Sequence, residues 1–132
     1  MIDIPEERIL KEITDILMND LPKVLLELEE QSDDSIRLPS FRYVGLEENL
    51  PPGTGLPYAF VEVEEGTYCE KDRIVKNRIY RVMITIKTAS EEFLWQYLFG
   101  IERVIAGVQT TLRMKIVEKK RNGTIHLRIV LQ

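Results

Sequence analysis

Apolar positions along the chain follow two rhythms in turn. From Pro5 to Met18, Ile9, Ile13, Ile16 and Leu17 recur at helical spacing with Leu10 beside them, which predicts an amphipathic helix over residues 5–18. Pro5 suits the first turn of that helix, and Glu6 and Glu7 suit the positive end of its dipole. Asn19-Asp20-Leu21-Pro22 interrupts it, because Pro22 has no N–H to donate and disfavours helical geometry at Leu21. Val24 to Glu30 reads as a second short helix or an extended segment.

The rhythm then breaks. Residues 31–57 hold the turn-forming clusters Ser32-Asp33-Asp34-Ser35 and Pro51-Pro52-Gly53-Thr54-Gly55, with Phe41, Tyr43 and Leu46 available for a short strand between them. This is a long connection for a compact domain, the kind that is usually functional or mobile.

Alternation of period two takes over next. Ala59, Val61 and Val63 alternate with Phe60, Glu62 and Glu64, and Tyr80, Val82, Ile84 and Ile86 alternate with Arg81, Met83, Thr85 and Lys87. Each run predicts a half-buried strand, and antiparallel pairing is the simplest arrangement. Ser90 is a good N-cap, with Glu91 and Glu92 behind it, for a helix whose stripe runs Leu94, Tyr97, Leu98, Ile101, Val104, Ile105 and Val108. Leu112, Met114 and Ile116 predict a strand, Asn122-Gly123 a hairpin turn, and Ile125, Leu127, Ile129 and Leu131 the return strand. The expected architecture is α+β over residues 1–132: an antiparallel sheet with helices packed on one face, in the order α, loop, β, β, α, β, β.

Composition adds exclusions. At 132 residues, 44% apolar and 30% charged, the chain suits one globular domain and is too apolar to be disordered. No apolar run is long enough to span a bilayer, and the opening residues do not resemble a secretory signal. The lone Cys69 has no partner for an internal disulfide, and its neighbour Glu70 works against a reactive thiolate. Net charge is a mild −4, but residues 1–72 carry 18 acidic and 6 basic side chains, whereas residues 73–132 carry 4 and 12. Packing of the halves against each other is one explanation. The other is a subunit with an acidic and a basic surface, suited to head-to-tail contact with copies of itself.

The candidate chemistry is thin. His126 is the only histidine and lies on the polar side of its strand, with no cysteine or second histidine nearby to complete a zinc or iron site. Gly53-Thr54-Gly55 lacks the Gly-Lys-Ser/Thr ending of a phosphate loop, and a turn explains it. Glu62 and Glu64 share a strand face; as a pair they read as an acid/base couple, a cation site, or the solvent side of a half-buried strand, and the last accounts for their alternation with valines. Arg113, Lys115, Lys119, Lys120, Arg121 and Arg128 make the final hairpin basic. Without aromatic residues there, and with an isoelectric point near 5.1, nucleic acid ranks behind a protein contact. Trp95 lies off the middle of the apolar stripe of its helix, near Glu91, Glu92 and Glu102, and is an interface candidate. No catalytic residue, metal ligand or cofactor is called for, and the surface positions singled out are Glu62, Glu64, Arg78, Arg81 and Trp95.

Several segments together resemble the tail terminator and tail-completion proteins of long-tailed bacteriophages. They are the opening helix from Ile9 to Met18 ending at Leu21-Pro22, the entry Leu56-Pro57-Tyr58-Ala59-Phe60-Val61, the strand Tyr80 to Ile86 running into the Ser90 helix, and the closing hairpin. The resemblance covers nearly the whole chain and rests on hydrophobic pattern. It implies a ring, usually hexameric, that caps the tail tube, halts its growth and docks the head, with the sheet and its loops building the subunit contacts. Its partners would be its own copies and other tail or head-connector proteins. Such a protein would be found in the bacterial cytoplasm during assembly and then in the virion tail. A reading of a different class is a small cytoplasmic module that binds a ligand or a regulatory partner on its sheet.

Overall fold

A computed structural model describes residues 4–32, 36–65, 78–89, 91–107 and 112–131. Helix α1 (Pro5–Asp15) starts at its proline, with Glu6 and Glu7 in the first turn. Instead of ending before Pro22, the helical path continues through a π turn (Ile16–Asp20) into α2 (Leu21–Gln31). Proline lacks an N–H, and its ring crowds the carbonyl four residues back. Widening the turn lets the Leu21 N–H reach the Ile16 carbonyl, five residues back. Pro22 then falls in the first turn of α2, where no intrahelical donor is required. The expected interruption is therefore a change in hydrogen-bond spacing.

One five-stranded sheet follows. β1 (Val44–Gly45), β2 (Tyr58–Glu65), β3 (Arg78–Lys87), β4 (Arg113–Lys119) and β5 (Thr124–Leu131) lie in the order β1-β2-β3-β5-β4. β2–β3, β3–β5 and β5–β4 pair antiparallel, as the alternation predicts. The edge pair β1–β2 is parallel, so the sheet is mixed where a purely antiparallel one was expected. Helix α3 (Glu91–Gly107) carries the chain from β3 to β4, and β5 returns into the gap between them. The fold is α+β.

Parallel pairing at β1 follows from how the 36–57 segment is tied down. The Leu38 N–H donates to Glu29 Oε1, and Tyr97 Oη donates to the Pro39 carbonyl at 2.5 Å. Phe41 is buried and stacks on Tyr97, ring centres 5.3 Å apart. These anchors hold the segment beside α2 and α3, so it reaches β2 from the start of that strand. Arg42 and Ala59 N–H groups then donate to the Pro57 and Tyr43 carbonyls, at 2.8 and 2.9 Å. The short strand anticipated around Phe41, Tyr43 and Leu46 shrinks to Val44–Gly45 because Phe41 is drawn into the core. Among the described residues no helix is long and apolar enough to cross a membrane.

The Asn122-Gly123 turn closes the final hairpin as its residues predict. Gly123 has φ +91°, a left-handed conformation that favours glycine, and a Cβ there would lie 2.8 Å from the Ile86 carbonyl oxygen. All three helices bury their apolar stripes on one side of the sheet. Ile9, Leu17, Leu21, Tyr97, Leu98 and Ile101 join Val61, Val82, Ile84, Ile125 and Leu127 in one core, each at most 2% exposed.

Candidate assembly surface

Strand pairing sorts side chains into rows that run across the sheet. On the helix-covered side, Val63, Val82, Leu127 and Ile116 stand opposite one another on β2, β3, β5 and β4. One residue further along each strand, or back along it, the next row faces the other way: Glu64, Arg81, Arg128 and Lys115. All four are exposed. The neighbouring row on this open side is Glu62, Met83, His126 and Glu118. No helix covers this side among the described residues.

The charge on the open side is thus graded by strand. β2 contributes Glu62 and Glu64, and the nearby 3-10 turn (Glu47–Asn49) adds exposed Glu47 and Glu48. β3, β5 and β4 contribute Arg81, Arg128, Arg113 and Lys115, with Glu118 beyond the β4 bulge as the one acidic group on that part. Glu62 and Glu64 therefore stand at one margin of this surface and Lys115 and Arg113 at the other. Arg81 stands opposite Arg128, and Arg128 opposite Lys115. Like charges directly across a ladder destabilise it by about 0.2–1 kcal/mol each. Two ion pairs lie away from this row: Arg103 with Glu27 at 3.7 Å, joining α3 to α2, and Lys119 with Glu102, joining the hairpin to α3.

Two shallow grooves flank the row. One, of about 460 Å³, has Phe60, Met83 and Leu46 in its floor and Glu47, Glu48, Glu62 and Lys87 on its rim. The other, of about 390 Å³, is lined by Ile79, Arg81, Val117, Glu118, His126 and Arg128. A bulge between Ile116 and Glu118 turns Val117 outward, 63% exposed.

The positions chosen from sequence divide among these surfaces. Glu62, Glu64 and Arg81 come together on the open side, with Glu64 opposite Arg81. Arg78 opens β3 opposite Leu131, and its side chain lies outside the described residues, as do Cys69 and the Ser90 cap. Trp95 is on α3, 52% exposed, with the equally exposed Phe99 one turn on, and so belongs to the helical layer. Tyr97 is buried as its place on the stripe predicts. Arg113, Lys115 and Arg128 were visible as a basic hairpin; their alignment with Arg81 depends on β5 inserting beside β3, which no local signal announces.

Among the described residues, no reactive geometry is assembled on this face. His126 is half-buried between Met83 and the Val117–Glu118 bulge. Among the described residues, no three His, Cys, Asp or Glu side chains gather closely enough to hold a metal ion. The shifted groups lie away from it: burial, and then the Glu29 carboxylate, raise the Tyr97 phenol, and burial, with Glu48 behind it, raises that of Tyr43. Compared with known protein families, with curated protein sequences and with solved structures, the chain matches none.

Proposed function

We propose that this chain is a structural subunit that works by assembling with copies of itself. The observation that carries this reading is the charge of the open sheet side, acidic at β2 and basic along the Arg81, Arg128 and Lys115 row of β3, β5 and β4. A surface that is self-repelling along its basic part and acidic at its margin gains from a complementary neighbour. Enzymatic chemistry has no comparable support among the described residues.

The finer reading is a tail-assembly protein of the terminator kind, forming a ring, hexameric in that family, that caps a phage or prophage tail tube and joins it to the head. It draws on the resemblance of element order and on the charge gradient, which supplies the two unlike surfaces that head-to-tail closure requires. Mass photometry of the full chain at low and high salt tests the assembly. Discrete oligomers that loosen as salt rises are expected. A strict monomer in every condition, with no decoration of tail-tube ends in electron micrographs, overturns the reading.

A ligand- or partner-binding module remains the second reading, favoured by the groove between Phe60, Met83 and the Glu47–Glu48 turn. Its acidic rim fits a small cationic ligand. Thermal shift with a panel of polyamines and amines tests it, and no shift at millimolar concentration discards it.

A further inference from the structure

Accepting self-assembly as the premise, we infer that copies join edge to edge: β4 of one copy adds to the open half of β2 in the next, continuing the sheet across the boundary. Two sets of observations lead there.

The first concerns backbone groups. β1 pairs only with Ala59 and Phe60, so Val61–Glu65 have no ladder partner on that side among the described residues. The Ala59 N–H points to the β1 side, toward the Tyr43 carbonyl. By strand alternation, Val61 and Val63 present their N–H and C=O groups to the same open edge. At the other margin of the sheet lies β4, whose regular stretch Arg113–Ile116 precedes the bulge. Open β2 and regular β4 are similar in length. They also run in opposite directions, since β2, β3, β5 and β4 alternate. A neighbour turned about an axis along the strands therefore meets β2 with an antiparallel β4, and the open side stays on one side throughout.

The second concerns charge. Edges are normally defended by charged side chains and bulges. Here the defence discriminates. Pairing β2 with a second β2 sets Glu62 and Glu64 against their own copies, and pairing β4 with β4 sets Arg113 and Lys115 against theirs. Stacking two open sides through a two-fold axis also sets guanidinium groups against guanidinium groups, because Arg81 and Arg128 occupy the middle of the row. Among the edge pairings, only β4 against β2 brings lysine and arginine to glutamate. It also lays the half-buried Met114 and Ile116 beside half-buried Val63, extending the covered side. Unlike edges joining in one sense generate a ring where the rotation closes.

Exchange of charge across the junction is the test. Full-length wild type, Lys115→Glu, Glu64→Lys and the double variant are compared by sedimentation equilibrium at low salt, with circular dichroism confirming the fold of each. Each single variant is expected to weaken self-association by about tenfold or more, and the double variant to recover most of it. A Val63→Pro variant, which removes one outward N–H at a position where an edge strand tolerates proline, is expected to weaken association too. Wild-type assembly with both single charge variants unchanged, or a double variant no better than the singles, overturns the edge junction and leaves self-assembly standing. A wild type that never associates overturns both.

Discussion

The two sides of the sheet differ by a single step along each strand. Val63, Val82, Leu127 and Ile116 face the helices, and Glu64, Arg81, Arg128 and Lys115 face away. The first row is held by burial, which rewards any apolar neighbour and rises with area removed from water. In the second row nothing is buried to comparable depth, and three cations stand in line. One side is arranged to stabilise this chain; on the other, like charges stand across the ladder and lower its stability slightly. Burial and charge are thus divided between adjacent positions of the same strands.

The sharpest way to break that contrast is a cavity on the covered side. Leu127→Ala removes a side chain that is 1% exposed in the middle of its row, and is expected to cost about 2–5 kcal/mol in a urea titration. Gly123→Ala comes next, at about 1–3 kcal/mol, because it combines positive φ with a Cβ too near the Ile86 carbonyl; a thermal melt reads it. Tyr97→Phe should cost about 0.5–1.5 kcal/mol by deleting the bond to Pro39. That variant also sharpens the pH behaviour. Burial, then Glu29, raise the folded phenol above its ordinary value of 10.0. The unfolded chain therefore releases this proton first as pH rises, so stability holds below pH 10.0 and falls from there toward the folded value. Tyr97→Phe is expected to flatten this alkaline loss, as followed by near-ultraviolet circular dichroism. The smallest effect carries the opposite sign. In dilute solution Arg128→Glu should stabilise the monomer by about 0.2–1 kcal/mol, because it places a carboxylate between Arg81 and Lys115, and the gain should fade as salt is added.

Legibility in the sequence followed the range of the interactions. Period-two alternation located β2, β3 and β5 because one buried face is enough to impose it. Asn122-Gly123 announced its hairpin through a backbone conformation that glycine tolerates. The α+β class followed from those elements. What the sequence left open was which strands lie side by side. β5 pairs with β3 across α3 and the whole of β4, and nothing in the alternation of either strand encodes that neighbour. The consequence for the site was direct: Arg81 and Arg128 were separately visible, and their meeting was not. β1 escaped for a related reason, since Val44–Gly45 is a strand only because Phe41 and Leu38 are fixed by Tyr97 and Glu29. Trp95, off the middle of its stripe, is exposed, yet it sits on a different layer from Glu62, Glu64 and Arg81.

The wide turn at Ile16–Asp20 has a bearing on how the first layer keeps time with the sheet. Ile9, Ile13, Leu17, Leu21 and Leu25 are all at most 1% exposed and recur every fourth residue. An unbroken α-helix advances about 100° per residue, so that spacing would creep steadily around the cylinder. The slower winding of the π turn takes back part of the drift midway, and a single unbroken rod of side chains stays seated on the core. Removing one residue from the turn would restore a regular helix and swing everything downstream of it out of phase.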